Sequence, residues 1–122
     1  MFEVAYETTF CATHVLHRDG RPVEPQHGHD WRVEVVAEGE TLDPLGVVVD
    51  FEQLKAAAGA VCRRFHYGDI TGHADFAGQS PSAEAVARYF FREVRRAMGE
   101  EGAKLVSVRV WEAPGCSATY RE

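Results

Sequence analysis

The sequence predicts a single α+β domain, an antiparallel four-stranded sheet with two helices on one face. Three observations carry that expectation. Segments opening at Phe2, His27 and Val106 alternate apolar and polar residues with a period of two. The segments after Asp50 and after Ser80-Pro81 place apolar residues at helical spacing instead. The resulting order is strand, strand, helix, helix, strand, with a final strand at Ala118 to Arg121.

In the first strand, Phe2, Val4, Tyr6, Thr8, Phe10 and Ala12 share one parity, and His14 joins them if the strand continues. Gly20, Pro22 and Pro25 make residues 17 to 26 a loop. The second strand runs from His27 to about Glu38, with His29, Trp31, Val33 and Val35 on one face. A turn at Asp43-Pro44 to Gly46 leads into Val47-Val48-Val49, which reads as a short buried strand ending at Asp50.

Asp50 is the expected N-cap of the first helix, with Gln53 completing a box-like cap. Its stripe is Phe51, Leu54, Ala58, Val61, Cys62 and Phe65, and it ends near Phe65. Residues 66 to 79 are glycine-dotted and aperiodic, a long loop expected to border a site. Ser80-Pro81 reads as N-cap and first turn of a second helix whose buried face is Val86, Tyr89, Phe90, Val94 and Ala97, stopped by Gly99 and Gly102. In the last strand Val106, Val108 and Val110 share a face, so Glu112 falls on an apolar face. Such a sheet leaves exposed edges in a monomer, and edge pairing between subunits is the usual remedy, so a homo-oligomer is expected.

With 122 residues, 45% hydrophobic and 26% charged, the chain is expected to bury one core as one domain over residues 1–122. Thirteen basic against 19 acidic residues give a net charge of −6, which argues against nucleic acid as a partner. No apolar run approaches the roughly 20 residues that span a bilayer, so no membrane partner is expected. Met1 leads directly into the alternating segment, which reads as a cytoplasmic, unprocessed N-terminus. Cys11, Cys62 and Cys116 are odd in number and far apart, which favours reduced thiols, with Cys62 a core residue of the first helix.

His27 and His29, two apart on a strand, project to one face, and His14 at the end of the preceding strand faces them if the two pair antiparallel. Three imidazoles with an open fourth position is how a catalytic zinc is held. His27-Gly28-His29 alone is better explained by solvated or hydrogen-bonded histidines; His14 is what raises it to a candidate zinc site.

The residues then become recognisable. Phe10-Cys11-Ala12-Thr13-His14 resembles the Phe-Ser-Ala-Ala-His segment of the 6-pyruvoyl- and 6-carboxytetrahydropterin synthases, and His27-Gly28-His29 resembles their second zinc motif. Gly46 to Phe51 with Leu54-Lys55, Pro81-Ser82-Ala83-Glu84, and Val108 to Glu112 with Tyr120 resemble further signatures, so the likeness spans Phe2 to Tyr120. It implies the tunnelling fold (T-fold), whose sheets join into a barrel, commonly a hexamer of two stacked trimers with sites at subunit interfaces. It also implies Zn2+ on His14, His27 and His29, a pterin anchored by Glu112, and a lyase acting on 7,8-dihydroneopterin triphosphate or a close dihydropterin. Aldolase-type cleavage of the side chain, or a zinc and pterin-binding module without catalysis, are the alternatives.

The chain departs from that pattern in two places. The synthases' nucleophilic cysteine, four residues before His-Gly-His, is Val23 here. Glu24 is the nearest substitute base, or else a solvated loop carboxylate, and Cys116 is a further option. The family's Asp-His pair becomes His66-Tyr67 without gaps, leaving His66 as an acid or base and Asp69 to orient it after a shift. His17, His73 and Asp75 are assigned no role.

Overall fold

Alternation on either side of the first loop becomes the two longest strands. In the computed structural model, which describes residues 1–122, the elements are β1 (Phe2–His14), β2 (His17–Arg18), β3 (Arg21–Pro22), β4 (His27–Gly39), α1 (Phe51–Cys62), β5 (Gly68–Asp69), α2 (Ala83–Ala97), β6 (Leu105–Ala113) and β7 (Cys116–Arg121). β1 and β4 pair antiparallel from Phe2↔Gly39 to His14↔His27. The main sheet runs β5-β1-β4-β6-β7, and β2 and β3 form a separate ribbon.

The sheet is therefore mixed and five-stranded, where the sequence predicts four antiparallel strands. β5 lies parallel to β1 through Ala12↔Gly68 and Thr13↔Asp69. Backbone hydrogen bonds from Tyr67 N to Cys11 O, 2.7 Å, and from Ile70 N to Thr13 O, 2.9 Å, hold it there. Two residues are too few for a periodic signal, which is why the strand hides in an aperiodic loop.

Both helices cover one face of the sheet. Phe10, Trp31, Val33, Val35, Val108 and Val110 from the strands meet Leu54, Ala58 and Val61 of α1 and Val86, Phe90, Phe91 and Val94 of α2. Burying each of the valine, leucine and phenylalanine side chains among them stabilises the fold by about 1.5–3 kcal/mol. Phe10 stacks against both Trp31 and Phe90, with ring centroids 5.9 and 5.4 Å away.

Four local expectations are corrected. Val47-Val48-Val49 forms no strand; Val48 and Val49 are buried in an irregular segment that Lys104 Nζ fixes through Val48 O at 2.8 Å. Asp50 caps α1 through Glu52 N, but the Gln53 side chain donates to Met98 O rather than closing a box. α1 ends at Cys62, and Phe65 is buried in the turn beyond it. The cap of α2 is Ser82, which accepts from Ala85 N, while Ser80 accepts from His17 N.

A register shift opposite Val36 and Ala37, where Ser107 pairs with Val36 and Leu105 with Ala37, leaves Val106 as an extra residue. Leu105 rather than Val106 therefore joins the core, while Val108 and Val110 keep the inward face.

Candidate metal centre

The site begins where the β1–β4 ladder ends. His14 and His27 are the last cross-strand pair, and His29 lies opposite Ala12, so strand alternation alone brings three imidazoles to the helix-bearing face. Their ring centroids are 4.6, 4.7 and 5.2 Å apart and the rings meet edge to face. Trp31, fully buried, forms the floor, with its ring 4.9 Å from that of His14 and 5.8 Å from that of His29.

Backbone carbonyls set the tautomers. His14 Nδ1 lies 2.9 Å from Pro81 O and His27 Nδ1 lies 3.0 Å from Pro25 O. A carbonyl only accepts, so each Nδ1 carries the hydrogen and each Nε2 presents a lone pair. This is how metal-binding histidines are commonly oriented.

Glu112 completes the cluster. Its Oε1 is 2.6 Å from His14 Nε2, 3.3 Å from His29 Nε2 and 4.0 Å from His27 Nε2. One ligand atom from each of the four residues falls within 4.8 Å of all the others. Tetrahedral coordination at about 2.0–2.1 Å separates ligand atoms by roughly 3.3 Å, so this spacing suits one cation.

The buried Nε2 atoms of His14 and His29 have no hydrogen-bond partner. The 2.6 Å approach to Glu112 is thus a close contact of the ring nitrogen and the carboxylate without hydrogen-bond alignment. Inward lone pairs beside a carboxylate are the donor set a divalent cation would satisfy, and zinc accepts both atom types. Burial first, then the neighbouring imidazoles, hold His29 below the usual histidine pKa against the pull of Glu112 and Glu24, which favours the neutral, ligating form.

The other expected residues divide by position. Glu24 sits beside the centre: its Oε1 accepts from Leu16 N at 3.1 Å, two residues past His14, and its charge is felt at His29. His66 and Asp69 are elsewhere. His66 Nδ1 accepts from Cys11 N at 3.2 Å, and Asp69 Oδ1 accepts from Thr13 Oγ1 at 3.1 Å, on the outer edge of β1. Cys11 and Thr13 have the opposite parity to His14, so their side chains take the other face. Cys116 is exposed at the start of β7.

Sequence reasoning missed the two orienting carbonyls and the Trp31 floor. Pro25, two residues before His27, was open to local inspection, and Trp31 shares the histidines' parity. Pro81 stands 67 positions from His14 and leaves no local signal.

A mixed five-stranded sheet backed by two helices, with three imidazoles and a carboxylate converging at one end, defines a class of small α+β proteins with a metal-type site on the sheet. Within that class the chain belongs to the 6-pyruvoyl tetrahydropterin synthase family, whose sequence profile matches residues 3–122. It is 28% identical over 109 residues to the dihydroneopterin monophosphate aldolase of Pyrococcus furiosus, covering 89% of this chain and 88% of that one. It is 27% identical over 127 residues to the 6-carboxy-5,6,7,8-tetrahydropterin synthase of Bacillus subtilis, covering 98% and 85%. The fold matches the 6-pyruvoyl tetrahydropterin synthase of Caenorhabditis elegans with a TM-score of 0.89, at 24% identity over 99% of this chain and 95% of that one.

Proposed function

We propose that the protein is a zinc-dependent lyase acting on 7,8-dihydroneopterin triphosphate or a close dihydropterin. The convergence of one ring nitrogen each from His14, His27 and His29, with a Glu112 oxygen beside them, carries this reading. His14, His27 and His29 hold the metal, which supplies a Lewis acid for the hydroxyls of the pterin side chain. Glu24, tied by one oxygen to Leu16 N, takes the proton from the adjacent carbon. Glu112 accepts hydrogen bonds from the amino and ring N–H groups of the pterin. His66 and Asp69 lie on the edge of β1 left for a neighbouring copy, so any role for them is played across a subunit boundary in a hexameric T-fold barrel.

A second reading, aldolase-type cleavage of the dihydroneopterin side chain, is favoured by two observations. Val23 stands where the synthases carry a cysteine, and the Pyrococcus furiosus relative, matched over 89% of this chain, is a dihydroneopterin monophosphate aldolase. One experiment separates the readings. Zinc-loaded protein is incubated with 7,8-dihydroneopterin triphosphate and, separately, its monophosphate, and the products are identified by mass. A pterin that keeps all its side-chain carbons, or a 6-carboxy product, supports the synthase reading, and a 6-hydroxymethyl product with release of a two-carbon hydroxyaldehyde or its phosphate ester supports cleavage. Binding without turnover would leave a zinc and pterin-binding module. Glu24→Gln is expected to lower kcat by about 10²–10⁴-fold with zinc retained; unchanged turnover removes Glu24 as base.

A further inference from the structure

Strand geometry at Glu112 differs from that at the three histidines. The β4–β6 ladder ends at Arg32↔Trp111, and the β6–β7 ladder steps from Trp111↔Ser117 to Ala113↔Cys116. Glu112 is therefore unpaired on both sides, the extra residue of a bulge. Bulges beside functional sites bend the strand locally and re-aim a side chain. The flank is anchored: Trp111 lies under the guanidinium groups of Arg32 and Arg109, at 3.6 and 4.6 Å from its ring centroid.

The four donors are held unequally. His14 and His27 are each fixed through Nδ1 by a carbonyl, and His29 is set edge-on against Trp31. Glu112 reaches the same point from the bulge with its side chain 30% exposed, placing Oε1 2.6 Å from His14 Nε2. Four protein donors would close a tetrahedral centre, whereas catalysis needs a position for substrate. The donor that can leave is the one on the irregular backbone.

We propose that Glu112 is an exchangeable fourth ligand: it closes the metal centre in the substrate-free protein and leaves when a pterin offers N–H donors to the carboxylate and hydroxyls to the vacated position. This rests on the metal-centre reading above. The exchange swaps one oxygen donor for another and changes no oxidation state. It makes entry selective, because a plain diol offers nothing to the released carboxylate and leaves the centre closed. A pterin carries both halves.

Cobalt(II) in place of zinc reports the coordination shell directly through its visible absorption. The cobalt-loaded parent and Glu112→Gln are expected to differ in band position or intensity, and Glu112→Cys is expected to show a sulfur-to-cobalt charge-transfer band in the near ultraviolet that the parent lacks. Adding neopterin is expected to shift the parent's spectrum, and adding glycerol to leave it unchanged. Identical spectra for parent and Glu112→Gln with no thiolate band would overturn the ligand role. A parent spectrum indifferent to neopterin, or shifted equally by glycerol, would overturn the exchange. Failure of the parent to take up one equivalent of cobalt would instead remove the metal-centre reading, and this inference with it.

Discussion

His14 and His27 have similar chemistry and different surroundings. The His14 side chain is fully buried and its Nδ1 is the donor facing Pro81 O, whereas His27 is about one-third exposed and bonds the nearby Pro25 O. Alanine at either position is expected to abolish stoichiometric metal, checked by metal analysis of the purified variant. Stability should separate them. His14→Ala leaves a buried carbonyl unsatisfied and costs about 1–3 kcal/mol, while His27→Ala lets water replace the lost bond and costs less than about 1 kcal/mol. Urea unfolding of the metal-free proteins decides this, and coincident midpoints would show that His14 has no packing role. Strand parity places the three rings on one face from the sequence; which nitrogen faces inward depends on carbonyls that only the folded chain supplies.

Elements show the same division. The heart of each long strand and helix was legible because periodicity accumulates over many residues, and the errors fall where a few residues meet a distant partner: β5, the Val106 bulge and the cap of α2. Gly102, expected only to help stop α2, has a tertiary reason as well. A Cβ there would lie 2.3 Å from Arg95 O, where the chain folds back on the end of the helix. Gly102→Ala forces that backbone apart and is expected to cost about 1–3 kcal/mol, as overpacking does. Chemical denaturation of the variant checks this, and an unchanged midpoint would mean that the turn yields freely.

At the scale of the whole molecule, the sheet is unfinished. β5 pairs only with Ala12 and Thr13, so the outer side of β1 from Phe2 to Cys11 carries no strand, and β7 forms the opposite edge. Unpaired edges of this length are normally covered or joined to another sheet. The native protein is therefore expected to sediment as an oligomer of the size expected of a hexamer; a monomer at micromolar concentration would overturn both the barrel and any role for His66 and Asp69 across a boundary. An oligomer also matters to the candidate site, since Glu24 and the metal-type cluster lie at one end of the sheet and His66 and Asp69 along its edge.

The sequence by itself determined the α+β class, the two long strands, both helices and the common face of His14, His27 and His29, because these follow from side-chain period and local turn chemistry. It also placed Glu112 on the inward face as the last strand runs out. Only the tertiary structure decided that β5 extends the sheet, that Pro81 orients His14, that His66 and Asp69 stand away from the cluster, and that a bulge carries Glu112 into it. The first three depend on groups far apart in the chain coming within hydrogen-bond distance, and the fourth on how the β6–β7 hairpin steps from Trp111↔Ser117 to Ala113↔Cys116. Such contacts are set by packing and leave no period in the sequence.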